Sequence, residues 1–475
     1  FGHSAQSLSI AEAALLAGLP QSPTAYDPLV RFDQAKKRQE HVIELMEQAE
    51  LITSDEASMA RRTRLEFRQP NPLEPRFQHW VNYIADLTRS RFGPDALYTS
   101  GLRINTTLDP VIQSLAEDVV AHNEAIRVQA RANNTAMVVI DPASSQVLAM
   151  VGSKDFGDQS IAGQVNVAMA GRQPGSSIKP LVYLAGFEKG LSPAVQTLDQ
   201  PTPFSAPLGQ PPYMPKNYDD KYYGQVTLRD ALGNSLNVPA VKVLKYVGVP
   251  AFKDVAERFG ITTLDDWDPR WLSLTLGGGE VRLAELTGAY AAISRLGAYK
   301  PVEPLLGVQT SRGDVMYAGS NDVSPRQVVD PRIAYQLLHV MGDSGARLVT
   351  FGPQTPLNLP RPHMLKTGTT DDFRDTWTIG CLPQVCVGVW MGNTNNEPMQ
   401  RVSSSLTAGK IWIEMMQTLA DHFNYPPIPF EQPDGIAVTR IPNVGVTRPG
   451  SSDHEEVFLA GQEGRGTLNM NWMEP

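Results

Sequence analysis

The chain has 475 residues, with 41 Lys and Arg against 50 Asp and Glu, and so a net charge of −9. That balance, without any Lys/Arg-rich run, argues against a nucleic-acid-binding surface. A composition of 41% hydrophobic and 19% charged residues suits a globular enzyme of two or three domains. There is no stretch of eighteen apolar residues, so nothing here is expected to cross a bilayer.

The chain begins at Phe1 without an initiator methionine, and the natural start is expected upstream. The first sixty or so residues read as helices. Ser9 with Glu12 and Thr53 with Glu56 have capping-box spacing, and "AKKRQEHVIELMEQAE" between them is amphipathic. From about Phe67 to Pro75 proline and polar residues mark a boundary. "GLRINTTLDP" reads as a strand ending in a turn, followed by a helix from Val111 to about Asn123. "TAMVVIDPASSQVLAMVGS" reads as a hairpin.

Next comes "GRQPGSSIKPLVYLAGFEKG", a turn at Pro174-Gly175 running into a helix that Gly190 would close. Ser176 and Lys179 are three apart and share a helix face, whereas Ser177 and Lys179 do not. If the lysine is to take a hydroxyl proton, this geometry selects Ser176. The free N–H groups and positive dipole of a helix start would favour a developing oxyanion there. Taken alone, the same residues read as an N-cap and a solvated lysine.

A proline-rich loop, "PTPFSAPLGQPPYMP", precedes "GNSLNVPA", which holds Ser235 and Asn237 at a turn before a helix. "LAELTGAYAAISRLG" reads as a buried helix closed by Gly297. "LGGGE", Leu276 to Glu280, lacks the lysine and hydroxyl of a phosphate loop and reads as a turn. "MLKTGTTDDFRDTWTIG" contains Lys366, Thr367, Gly368 and Thr369 at the entry to a strand pair. Cys381 and Cys386 flank "LPQV" within it. A hairpin could join them as a disulfide, but two small residues filling a sheet is the preferred reading. The eight histidines show no metal-binding spacing, and His363 is expected to be a satisfied structural residue. No metal or organic cofactor is indicated. After Pro426 the chain reads as a tail or small appended piece. Hairpins with helices on either side of them imply an α+β fold, an antiparallel sheet flanked by helices.

Ser-x-Asn and Lys-Thr-Gly are weak signals singly; the ordered trio Ser-x-x-Lys, Ser-x-Asn, Lys-Thr-Gly is strong. A closely similar set marks class A β-lactamases and penicillin-binding proteins. The chemistry is coherent. A serine hydroxyl needs a base, and Lys179 serves as one only when neutral, which burial and a second cation such as Lys366 promote. Ser235 can relay a proton, and Asn237 can hold a peptide amide. Lys366, Thr367 and Thr369 offer charge and hydroxyls to a carboxylate, and Gly368 permits close approach.

With "GRQPGSSIKPLVYLAGFEKG", "LGGGEVRLAELTGAYAAI" and "KTGTTDDFRDTWTIG...VGVWMGN", the sequence resembles the transpeptidase domain of class A penicillin-binding proteins. "FGHSAQSLSIAEAALLAGLPQSPTAYDP" resembles the last part of that family's family 51 glycosyltransferase domain. The resemblance implies a glycosyltransferase remnant at 1–66, an interdomain linker region at 67–134, a transpeptidase domain at 135–425 and a tail at 426–475. It implies a serine-transpeptidase fold in which Ser176 is acylated by a stem peptide ending in D-Ala-D-Ala, with Lys179 as base. Ser235 and Asn237 would assist, Lys366, Thr367 and Thr369 would hold the carboxylate, and the N–H groups of Ser176 and Thr369 would form the oxyanion hole. β-Lactams would acylate the same serine. The family's glycosyltransferase glutamates lie upstream of this chain, as would its membrane anchor, so polymerising lipid II is expected only of a longer protein. Cell-wall synthesis proteins are expected partners. A D,D-carboxypeptidase, a serine β-lactamase, and a non-catalytic sensor or scaffold are the alternatives.

Overall fold

The computed structural model describes residues 1–68, 76–204, 211–264, 271–319, 324–448 and 452–463. Part of the proline-rich loop, most of the expected boundary after Phe67 and the last twelve residues therefore lie outside the described residues. The chain divides into two units, Phe1–Arg76 and Phe77–Pro475.

The first unit is helical. Helices Ile10–Gly18, Phe32–Gln48 and Ser54–Arg62 enclose Ala11, Ala14, Leu15, Ala35, Ile43, Ala57 and Ala60. Both capping boxes form, Ser9 with Glu12 and Thr53 with Glu56, each satisfying helix N–H groups that would otherwise lack partners.

The second unit is built on a five-stranded antiparallel sheet. Its order is Met364–Thr369, Asp375–Cys381, Cys386–Gly392, Asn134–Ile140 and Val147–Val151. Every residue of Asn134–Ile140 is buried because helices cover both faces. Ala136, Val138 and Ile140 pack in a cluster with helices Lys179–Glu188, Asn237–Val247 and Leu283–Ser294; Met137 and Val139 pack with Pro110–His122 and Ala408–His422. That period-two division is what a strand between two helical layers requires. Helix Gln78–Phe92 adds Trp80 and Ile84 to the first cluster, so the segment from Gln78 is folded into this unit.

Two expectations change. Cys381 and Cys386 are not merely small residues filling a sheet: they are paired in register at the end of a hairpin, with Cα atoms 4.1 Å apart, and form a disulfide. The segment after Pro426 forms a hairpin, Ile436–Pro442 with Asp453–Leu459, that is fastened to the unit by buried charge. Arg229, fully buried on helix Leu228–Gly233, donates through Nε to Glu456 at 2.8 Å and through Nη2 to the other carboxylate oxygen. Arg229 also meets Asp343 at 3.1 Å, and Arg448 bridges Asp230 and Asp343 at 2.7 and 2.6 Å. Burial works against the Glu456 charge, but Arg229 outweighs it and holds this carboxyl at about 2.

Breaking one partner of a buried pair strands the other, at a cost of about 3 to 5 kcal/mol. Glu456→Gln is expected to lower stability to urea by roughly that amount at neutral pH. Because the folded value is depressed, the contribution is present above 4.5 and lost as pH falls toward about 2. The difference between parent and variant should shrink over that range; a constant difference would count against the pairing.

Candidate active site

The edge strand Met364–Thr369 brings the three motifs together. Its last residues run against a 3-10 turn, Gly175–Ile178, which leads into helix Lys179–Glu188. The contact requires glycine on both sides. A Cβ on Gly368 would lie 2.2 Å from Pro174 O, and one on Gly175, at φ +53°, would lie 2.6 Å from Thr369 O. Ser176 thus stands on the 3-10 turn rather than on the α-helix, with its carbonyl accepting from the Lys179 N–H.

The two adjacent serines differ sharply. Ser177 is fully buried; its Oγ donates to Pro174 O at 2.7 Å and its carbonyl accepts from the Tyr290 hydroxyl at 2.6 Å. Ser176 is half-buried and lines a cleft of about 440 Å³. Ser235, Asn237, Thr367 and Thr369 line the same cleft. Lys179 and Lys366 are both buried, the former completely.

Lys179 Nζ donates to Ser235 O at 2.7 Å, Leu236 O at 3.0 Å and Asn237 Oδ1 at 2.7 Å. Lys366 Nζ donates to Ser235 Oγ at 2.8 Å and Thr367 O at 3.0 Å. Ser235 therefore joins the two lysines, through its carbonyl on one side and its hydroxyl on the other. It does so at φ +60°, in the left-handed region that a serine adopts at a conformational cost. Asn237 opens helix Asn237–Val247, and its N–H donates to Asn217 Oδ1 at 2.7 Å.

The electrostatics follow from burial. Loss of water pushes Lys179 well below the usual lysine range, and Lys366 pushes in the same direction. The three oxygens around Nζ oppose this, since together they suit an ammonium. Desolvation of a fully buried cation is the larger effect. Burial, then the nearby guanidinium of Arg347, brings Lys366 down to about 7. Among the described residues no hydrogen bond joins Ser176 Oγ to Lys179. A neutral amine has two N–H groups and one lone pair, so one of the three present contacts must yield for the lone pair to reach a serine proton.

Sequence reasoning overlooked Asp199, Asn217 and Arg347, buried residues in "TLDQ", "PKNYDD" and "SGARLV" that carry no short motif. His363 is half satisfied rather than fully so: Nδ1 pairs with Arg361 O at 2.8 Å, while buried Nε2 has no partner among the described residues. Among those residues no group of three or more His, Cys, Asp or Glu is arranged to hold a metal.

Comparison with known proteins agrees with this architecture. Residues 135–384 match the family described as penicillin binding protein transpeptidase domain, and residues 1–47 match transglycosylase. Penicillin-binding protein 2D of Bacillus subtilis is 30% identical over 98% of this chain and 67% of its own length. Penicillin-binding protein 1A of Aquifex aeolicus is 27% identical over 93% of this chain and 70% of its own. The crystal structure of penicillin-binding protein 1A from Haemophilus influenzae superposes with a TM-score of 0.77 at 21% identity, covering 98% of this chain and 87% of that one. PonA1 from Mycobacterium tuberculosis in complex with penicillin V gives 0.61 at 23%, covering 75% and 94%. The chain belongs to the class A penicillin-binding proteins, and its enzymatic unit is a peptidoglycan transpeptidase.

Proposed function

We propose that the transpeptidase works through an acyl-enzyme on Ser176, with Lys179 as the base. The observation that carries this reading is the chain Lys179–Ser235–Lys366, two buried amines joined through one serine beside a hydroxyl that reaches the cleft. Lys179 takes the Ser176 proton as Oγ attacks the carbonyl carbon of the penultimate D-Ala of a stem peptide. The C–N bond breaks, and the departing D-Ala amine receives a proton by way of Ser235. An amine from a second stem peptide then attacks the ester, forms the cross-link and returns the proton to Ser176.

The remaining groups have matching roles. Lys366, Thr367 and Thr369 receive the terminal carboxylate, and Asn237 holds the peptide amide. The N–H groups of Ser176 and Thr369 stabilise the oxyanion, and Gly368 leaves room for the strand to meet the nucleophile's turn. Met364–Thr369 is an edge strand, which suits an extended peptide laid beside it. β-Lactams acylate the same serine on this reading, in line with the penicillin V complex of PonA1.

Assigning 1–66 to a glycosyltransferase remnant and 135–425 to the transpeptidase belongs to the same proposal, with the segment from Gln78 and the C-terminal hairpin packed into the transpeptidase unit rather than set apart as linker and tail. So do assembly with other cell-wall synthesis proteins and a membrane anchor upstream. Among the described residues no helix is long and apolar enough to cross a membrane. The transglycosylase match at the chain's start supports glycan polymerisation from lipid II by a longer protein. The family's work on peptidoglycan lies outside the cytoplasm, where a disulfide such as Cys381–Cys386 persists.

Incubation with benzylpenicillin and intact-mass spectrometry should yield one adduct per chain, mapped to Ser176 and absent from Ser176→Ala. Ser177→Ala should keep the adduct and lose about 1 kcal/mol of stability, the worth of its bond to Pro174. An adduct on Ser177, or none on folded parent protein, would overturn the assignment. Ser235→Ala is expected to slow acylation by roughly 10²- to 10⁴-fold, the usual contribution of a proton relay. With a pentapeptide and an added amine, aminolysed product should exceed hydrolysed tetrapeptide; tetrapeptide alone would mean a carboxypeptidase.

A further inference from the structure

Behind the second motif lies a buried carboxylate that the mechanism above does not use. Asp199 ends the strand Gln196–Asp199 and is completely buried. Its Oδ2 accepts from Asn217 Nδ2 at 2.8 Å and from the Tyr223 N–H at 2.9 Å. Asn217 Oδ1 accepts the Asn237 N–H at 2.7 Å, and Asn237 Oδ1 in turn accepts from Lys179 Nζ at 2.7 Å. Because a backbone N–H can only donate, Asn217 must present oxygen to Asn237 and its NH2 to Asp199. That fixes both Asn217 bonds, and Asn237 Nδ2, which donates to Lys216 O at 2.5 Å, leaves Oδ1 to face Lys179. A carboxylate at one end sets an amide, and that amide sets the helix start and the side chain that touch the catalytic lysine.

Asp199 Oδ1 has no partner among the described residues and is shielded from water. A buried oxygen left in that state costs free energy, and a carboxylate is a costlier group to leave than an amide. Packing does not require a charge at this position, since an asparagine has the same shape. What the carboxylate adds is its field. That field reaches Lys179 and Tyr183, which lies one turn along the same helix. The charged groups facing Lys179 are Lys366 from the edge strand, Asp371 from the loop after it and Asp199 from beneath. Those facing Asp199 are Lys179 and Lys242; burial pushes its carboxyl above the usual range, and the Tyr223 N–H, Asn217 and these two lysines work against that in favour of the charged form.

We propose that Asp199 is a positioning residue for acylation, orienting Asn237 through Asn217 and stabilising the ammonium that forms on Lys179 when Ser176 gives up its proton. The proposal rests on the acyl-enzyme reading above. Asp199 exchanges no proton in the step: the Ser176 hydrogen moves to Lys179, Oγ bonds to the acyl carbon, and Asp199 stays a carboxylate throughout. Without it, the new ammonium would form beside Lys366 in a dry site with, among the described residues facing it, Asp371 to offset it.

The test is the pH dependence of acylation by a chromogenic β-lactam, in parent, Asp199→Asn and Asn217→Ala. Asparagine at 199 can still accept the two N–H bonds, so only the charge is removed. Losing a negative charge near Lys179 disfavours its protonated form, so the acid limb of the profile should move to lower pH. The plateau should fall about tenfold, equivalent to about 1.4 kcal/mol of transition-state stabilisation. Asn217→Ala keeps the charge but cuts the link. Its plateau should fall by a similar factor while its acid limb stays at the parental pH. An acid limb in Asp199→Asn at the parental pH would overturn the proposal, however slow the enzyme. So would a parental rate in Asn217→Ala, which decides the question if Asp199→Asn does not fold. Failure of the underlying reading has a different signature: the parent itself would form no Ser176 adduct.

Discussion

The active site depends on holding two lysine side chains in a dry interior with, among the described residues, no carboxylate hydrogen-bonded to either. Lys179 meets two carbonyls and an amide oxygen, and Lys366 meets a hydroxyl and a carbonyl. A carboxylate in contact with either amine would favour its charged form and deprive the proposed acylation of its base. Oxygens of neutral groups position the amines without fixing a proton on them. Much of the surrounding fold keeps that arrangement assembled and shielded from water.

The sheet supplies the frame. Its edge strand carries Lys366 to Thr369, and two glycine contacts let that strand lie against the turn bearing Ser176. The second motif is held from two directions. Ahead of it, helix Leu228–Gly233 is clamped by Arg229 and Asp230 to the C-terminal hairpin through Glu456, Arg448 and Thr447. Beneath it, the start of helix Asn237–Val247 is tied through Asn217 to Asp199. Between these fixed points Ser235 is held in a left-handed conformation, so that its carbonyl faces one lysine and its hydroxyl faces the other. The strain is local, and the clamps on either side maintain it.

Local features were legible in the sequence and long-range ones were not. Capping boxes at Ser9 and Thr53 and the hairpin from Asn134 to Val151 depend on residues a few positions apart, so pattern alone reveals them. The three motifs were readable because each is short and their order is characteristic. Spacing also favoured Ser176 over Ser177; the structure places Ser176 at the cleft and buries Ser177, on a turn that is 3-10 rather than α. By contrast, Arg229 and Glu456 are 227 residues apart, and Asp199, Asn217 and Asn237 are linked across gaps of 18 and 20. Nothing in their immediate neighbours distinguishes them from ordinary turn and surface residues. The disulfide was underrated for a related reason: pairing Cys381 with Cys386 needs strand register, which is set by the whole sheet. The C-terminal hairpin looked like an appendage because prolines and glycines surround its short strands, and its anchoring charge, on the polar strand Asp453–Leu459, is buried only in the folded unit.

The most direct measurement is the protonation state of Lys179 itself. Protein labelled with 15N at the lysine side chains, with the Lys179 resonance assigned by its loss in Lys179→Arg, can be titrated by NMR without any substrate. The predicted result is a Lys179 that loses its charge at a pH well below that at which ordinary surface lysines lose theirs. A Lys179 that stays protonated as long as those surface lysines would contradict the claim that burial and Lys366 make it the base.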